Sequence, residues 1–244
     1  MISPVRIAMW SGPRNISTAM MRSFGARADC EVSDEPFYGA FLKASSEPHP
    51  MAKETMAAMD CDWESIKHYL NTKAPGTKKV WYQKHMPHHM VGPITIKDFP
   101  SHKHAFLIRS PERVIASYRN KNDLTNATML GFKVLRQYFD FEADRIGSAP
   151  IVVDADEILK DPEGILRTMC FRLGIPWDPS MLKWRMGPHP YDGVWGAHWY
   201  DKVNSSTCFG PLTPNPQKLT GQFLRMAESC RPDYLALKQH SILS

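Results

Sequence analysis

The stretch VRIAMWSGPRNISTAMMRSF (residues 5–24) decides the reading of this chain. Its first part, VRIAMW, alternates aliphatic and branched residues as a buried strand does. A Gly12-Pro13 turn follows, then Arg14, then the hydroxyl pair Ser17 and Thr18, then a helix-period run through Met20, Met21 and Phe24. Such a strand-turn-helix unit holds anions. The first helical turn leaves backbone N–H groups unpaired, its dipole end is positive, and the arginine and hydroxyls add further donors.

Working outward, the strand pattern recurs at residues 30–35, 79–84, 104–109 and 150–155, with helical stretches between. Alternation of this kind predicts an α/β fold: a parallel central sheet of about five strands flanked by helices. Helices are expected over residues 13–27, 51–60, 63–71, 111–121, 127–146, 162–173 and 216–225. The whole of 1–244 reads as one domain, with 37–78 as one wall of a substrate pocket and 184–215 as an ordered loop or lid. In parallel α/β sheets ligands gather at the carboxyl ends of the strands. Those ends present the loop around Arg14, then Asp34-Glu35-Pro36, Lys84-His85-Met86-Pro87 and Arg109-Ser110-Pro111.

Composition narrows the function classes. The chain has 244 residues, 43% of them hydrophobic, enough for a full-size core. The formal charge of +5 favours an anionic partner. Lysine and arginine are dispersed, so a small polyanion fits better than a nucleic acid. The five cysteines make no CxxC pair and read as reduced thiols. No apolar run reaches bilayer length and no secretory leader is evident, so a soluble cytoplasmic protein is expected, with no membrane partner. His85, His88 and His89 stand close together, but Pro87 interrupts the helix that would align them, and no metal site is expected.

The loop lacks the Gly-Lys of a Walker A motif; no Gly-Lys dipeptide occurs in the chain. PRNISTAM (residues 13–20) instead resembles the 5′-phosphosulfate loop of the PAPS-dependent sulfotransferases. On that match Arg14 takes the basic position and Ser17 and Thr18 the two hydroxyl positions. Asn15 and Ile16 replace the family's Ser-Gly. Glycine there permits positive φ, which a β-branched residue resists. HAFLIRSPERVIASY (residues 104–118) is similar to the family's 3′-phosphate motif, with Arg109 at a strand end and Ser117 eight residues on. Ser110 reads as an N-cap and Pro111 as the first helical residue. PIVVDADEILKDPEGILRTMCFRLGIPWD (residues 150–178) is similar to a third family segment: Asp161 caps, Pro162 starts a helix and Gly174 ends it.

The resemblance, to bacterial members above all, implies a fold of the P-loop nucleotide-binding type. It further implies sulfuryl transfer from PAPS, bound by Arg14, Asn15, Ile16, Ser17, Thr18, Arg109 and Ser117, to a hydroxyl or amine of a small acceptor. Arg14 stabilises charge on the leaving oxygen, and no metal is required. The base is Glu35, at the end of the second strand, or His85, at the end of the third. Lys202, Ser205 and Thr207 are candidates for a late loop over the adenosine phosphate. Two rivals stay open: a P-loop phosphotransferase or NTP hydrolase using Asp154 or Asp156 as a magnesium carboxylate, and a non-catalytic nucleotide-binding protein. The acceptor can be a sugar, phenol, amine or lipid alcohol, and the sequence is silent on oligomeric state.

Overall fold

The computed structural model describes residues 4–45, 49–72, 76–119, 123–214 and 218–243. Five strands, β1 (Val5–Ser11), β2 (Cys30–Asp34), β3 (Val80–His85), β4 (Lys103–Ile108) and β5 (Ile151–Asp154), form one sheet in the order β2-β3-β1-β4-β5. All neighbours are parallel. The helices are α1 (Ser17–Gly25), α2 (Tyr38–Ser45), α3 (Ala52–Ala58), α4 (Trp63–Thr72), α5 (Pro111–Tyr118), α6 (Phe132–Ile146), α7 (Ala155–Lys160), α8 (Pro162–Leu173), α9 (Gly196–Trp199), α10 (Asp201–Asn204) and α11 (Gly221–Lys238).

Two cores lie on opposite faces of the sheet. On one, Met20, Met21 and Phe24 of α1 and Leu166 and Met169 of α8 pack on Ile7, Met9, Tyr82 and Val153. On the other, Leu135, Tyr138 and Phe139 of α6 and Leu237 of α11 pack on Ala8, Trp10, Phe106 and Val152. Strand alternation explains the division, since successive side chains point to opposite faces. The chain leaves β1 towards β2 and leaves β4 towards β5 on the other side. Adjacent strands whose connections diverge open a crevice between them, here at the carboxyl ends of β1 and β4.

Several boundaries differ from the sequence reading. The first helix starts at Ser17, not at residue 13, because Arg14 and Ile16 adopt left-handed backbone with φ of 62° and 58°. The helix expected over 127–146 is cut at Gly131, whose φ of 73° separates a 3₁₀ turn (Ala127–Leu130) from α6. Residues 37–78 hold three helices, α2 to α4, of which the sequence reading had two. The end of the helix expected to reach residue 121 and the start of the one expected at 216 lie outside the described residues. From Gly221 the last helix continues to Lys238 through Pro232, with Ala227, Cys230 and Leu237 buried. That burial outweighs the hydrogen bond a mid-helix proline forfeits. Among the described residues no helix is long and apolar enough to cross a membrane.

Candidate active site

The loop between β1 and α1 is held in place from two directions. Asn15 Nδ2 donates to the Leu107 carbonyl of β4 at 3.1 Å, and Arg109 Nη1 donates to the Arg14 carbonyl at 3.2 Å. Arg14 Nε donates to Ser117 Oγ on α5 at 3.0 Å. The loop after β1 and the end of β4 thus meet at the crevice, and Arg14, Arg109 and Ser117 come together there. Ile16, at the N-cap of α1, provides no side-chain cap, and the first turn carries no acidic residue. Neither the N-cap side chain nor an acidic residue of the first turn therefore answers the dipole or the orphan amides there. Burial, then the charge of Arg109, presses the Arg14 guanidinium below its ordinary range. Among the described residues Arg14 makes no ion pair. Arg109 is also pressed down, first by burial, although Asp156 Oδ1 lies 3.6 Å from its Nε. That buried Nε makes no hydrogen bond.

A cleft of about 100 Å³, partly open to solvent, extends from this loop along the ends of β2 and β3. Arg14, Ser17 and Thr18 line one side; Glu35, Lys84, Tyr38, His89, Trp195 and Tyr200 are among the residues lining the other. Glu35 sits at φ 45°, a third strained non-glycine residue at the strand ends. Lys84 Nζ donates to Glu35 Oε1 at 2.5 Å, to Asp34 Oδ1 at 2.9 Å and to the Tyr200 hydroxyl at 2.8 Å. Burial alone would neutralise Lys84, but Asp34 and Glu35 outweigh it and hold the ammonium well above its usual range. Burial pushes the Glu35 carboxyl up, and Asp34 adds to this while Lys84 opposes it. Two carboxylates share one cation, so the upward direction follows from the charge count.

His85 lies elsewhere. Its ring stacks on Trp10 with centroids 4.6 Å apart, its Nε2 meets Gln83 Oε1 at 3.2 Å, and it does not line the cleft. The register explains this: Lys84 is opposite Asp34 and Met9 on the α1 face, while His85 is opposite Trp10 on the α6 face. Burial keeps His85 neutral, far below the usual histidine range. His88 and His89 do reach the cleft, and His89 Nδ1 is 3.8 Å from Glu35 Oε2. The His89 ring packs against Tyr38 and Phe41, with centroids at 4.5 and 4.7 Å. The sequence reading places Lys84 at a strand end without a role and takes Tyr200 only as one of several aromatics that could line an acceptor pocket; both line the cleft. Strand alternation could have found Lys84, since it shares a face with Tyr82 and not with His85. No local signal ties Tyr200 to Lys84.

The remaining candidates are engaged differently. Ser110 precedes α5 without a side-chain cap bond. Asp154 caps α7 through the Asp156 amide at 2.8 Å and accepts from the Tyr234 hydroxyl at 2.9 Å. Asp156 pairs with Arg113 at 2.8 Å. Neither carboxylate lines the cleft. Lys202 and Ser205 stand in and just after α10, and Thr207 follows; none lines the cleft.

The family model described as "Sulfotransferase domain" matches residues 5–241. The chain belongs to the sulfotransferase domain family. Two curated relatives from Arabidopsis thaliana are similar to this domain: "Branched-chain-amino-acid aminotransferase-like protein 2", 36% identical over 96% of the chain, and protein 1 of that name, 35% identical over 98%. The chain spans 41% and 43% of their lengths. Among solved structures, a sulfotransferase from Alicyclobacillus acidocaldarius covers 99% of the chain and 98% of its own, with a TM-score of 0.57 at 10% identity. The sulfotransferase domain from the curacin biosynthetic pathway covers 100% of both chains, with a TM-score of 0.52 at 12% identity. At these identities the likeness speaks for the fold: the domain has the five-stranded parallel sheet of bacterial sulfotransferases.

Proposed function

We propose that the domain transfers a sulfuryl group from PAPS to a hydroxyl or amine of a small acceptor. The observation that carries this reading is Arg14: a cation without an ion-pair partner among the described residues, at an uncapped helix N-terminus, lining one cleft with Glu35 and Lys84. The residues present fit the co-substrate's anions. Arg14, the amides of Asn15, Ile16, Ser17 and Thr18, and the two hydroxyls would hold the 5′ end. Arg109, with its unsatisfied buried Nε, and Ser117 would hold the 3′-phosphate. When bound, PAPS supplies the sulfuryl group and a phosphate oxygen as leaving atom.

The protein's own part is to orient, to neutralise charge and to move a proton. Arg14 offers a permanent cation beside the phosphates. Glu35 takes the acceptor proton: Oε1 is bound by Lys84, which leaves Oε2 to receive it. An upward-shifted carboxyl is a better base than an ordinary one, as long as it is ionised at the working pH. The aromatic side chains of Tyr38, Trp195 and Trp199 offer an apolar wall to the acceptor. No step calls on a metal. Five free cysteines support a reducing, cytoplasmic setting.

A phosphotransferase reading is disfavoured by the commitment of Asp154 and Asp156 to a cap and an ion pair. The relatives' names mention aminotransferases; a lysine that forms a Schiff base must be neutral, and Lys84 is held charged by two carboxylates. The test is calorimetric binding of the product nucleotide PAP to wild type, Arg14→Ala and Arg109→Ala. Each substitution is expected to weaken binding by about 1.5–3 kcal/mol, the range for hydrogen bonds to charged groups. Unchanged affinity in both variants overturns the assignment.

A further inference from the structure

Residues 184–214 form a strap that brings Trp195, Trp199 and Tyr200 into the cleft lining, and two polar anchors fasten it. One is buried under α1: Arg22 Nη2 donates to Asp192 Oδ2 at 2.7 Å and to Asn204 Oδ1 at 3.0 Å. The other reaches the strand ends. The Tyr200 hydroxyl donates to Asp34 Oδ2 at 2.7 Å, accepts from Lys84 Nζ at 2.8 Å, and accepts from Trp195 Nε1 at 3.1 Å. The Gly193 amide adds a longer contact to Asp34 Oδ2 at 3.4 Å. Asp34, Lys84 and Tyr200 are all buried, at 7%, 1% and 4% exposure, so water competes little for these bonds.

Asp34 does not line the cleft, whereas Lys84, Glu35 and Tyr200 do. An unpaired carboxylate so deeply buried is costly, and a chain keeps one only where a cation and donors answer it. Here all three partners of the ammonium are fixed, two by adjacent residues of β2's end and one by the strap. We propose that Asp34 and Tyr200 are positioning residues that set how the Lys84 ammonium is shared between Asp34 and Glu35, so that docking of the strap completes the charged face of the cleft. The inference rests on the reading of Glu35 as the group that takes the acceptor's proton.

The groups facing Glu35 are Asp34 from β2, Lys84 from β3, His89 just beyond β3, Tyr38 from α2 and Tyr200 from the strap, with Arg14 across the cleft. Of these, Lys84 lowers and Asp34 raises the carboxyl's proton affinity. Replacing the two positioning residues is expected to act with opposite sign, Asp34 through its own charge and Tyr200 through the ammonium it shares with Asp34. Asparagine at 34 removes the like charge and leaves the ammonium to Glu35, which lowers Glu35's titration midpoint. Phenylalanine at 200 strips Asp34 of a donor, draws the ammonium towards Asp34 and away from Glu35, and raises the midpoint.

The experiment measures Glu35 by carboxyl ¹³C NMR titration in glutamate-labelled full-length domain, the resonance being assigned by its loss in Glu35→Gln. Asp34→Asn is expected to move the midpoint down and Tyr200→Phe to move it up, each by about half a unit or more. The acid limb of kcat for sulfuryl transfer should follow in the same directions, with the KM for PAPS within about twofold of wild type. A midpoint that stays put in both variants, or moves the same way in both, overturns the proposal. If Asp34→Asn does not fold, an upward shift in Tyr200→Phe alone supports the proposal and its absence rejects it. Wild-type domain that turns over no PAPS while the two midpoints still shift oppositely would sink the proposed reaction and leave the positioning roles standing.

Discussion

Ile16 sits in left-handed backbone, φ 58°, ψ 19°, a conformation that costs a non-glycine residue about 1–2 kcal/mol. The sequence alone suggests that isoleucine would resist positive φ at this point, yet the loop imposes it. Asn15 tied to β4 and Arg109 tied to the Arg14 carbonyl leave the chain no relaxed path into α1. Part of the cost is offset by packing, since the Ile16 side chain rests against the core under α1. Comparing Ile16→Gly with Ile16→Ala separates the two effects, because both lose the side chain and only glycine escapes the strain. The glycine variant is expected to be more stable than the alanine variant by about 1 kcal/mol in urea denaturation. Equal stabilities would mean the loop carries no backbone strain. Arg14, Ser17 and Thr18 were legible as a site because they are contiguous and their amides point one way by helix geometry. Lys84 was not, because every residue of β3 is buried and polarity alone does not separate its two faces.

At the scale of elements, the strap and α1 are joined by a buried ion pair. Arg22 is fully buried, and its fork meets both oxygens of Asp192 with Tyr191 over the guanidinium at 5.4 Å. A buried pair adds little net stability against an apolar replacement, but breaking it strands a charge. Asp192→Ala is therefore expected to lower the unfolding free energy by about 3–5 kcal/mol, and the double replacement Arg22→Met with Asp192→Leu to lower it by much less. Thermal unfolding of the three proteins checks this, and a double variant as unstable as the single one contradicts it. The strap itself shows how far local pattern reaches. Its density of Trp, Gly and His marked an ordered segment, and its aromatics Trp195, Trp199 and Tyr200 were candidates for a pocket wall, but the bond of Tyr200 to Lys84 was not readable. By contrast α8 reads directly: Asp161 accepts from the Gly164 amide at 3.0 Å, Pro162 opens the helix and Gly174 closes it at φ 66°. Those signals act within one turn of chain, and tertiary contacts do not need to supply them.

At the scale of the whole molecule, an unusual load of neutral histidine is buried. His85, His89 and His104 are held below the usual range by burial first, and His88 and His102 are pushed down to about 3. Both ring nitrogens of His102 lack partners. A folded-state value below the unfolded one of about 6.5 means that the unfolded chain binds protons first as pH falls. Their contribution is therefore whole above about pH 7.5 and shrinks steadily below about 6.5, towards the folded values near 3 for His88 and His102. His85, His88, His89 and His102 are each expected to cost about 1.4 kcal/mol between pH 7.5 and 5.5. Urea midpoints at the two pH values measure the sum, and His102→Leu should remove one share of it; an unchanged pH dependence would contradict the assignment. The sequence by itself determined the alternation of strands and helices, the parallel sheet and the turn between β1 and α1 proposed to hold the anion, because each rests on periodicity and turn chemistry within about twenty residues. Only the tertiary structure decided which strand-end side chains share the cleft. Register set Lys84 beside Asp34 and turned His85 onto Trp10, and the strap brought Tyr200 from far along the chain to the same ammonium. Contacts between segments so distant in sequence depend on how the strands pair and which face each helix covers, and no local pattern records that.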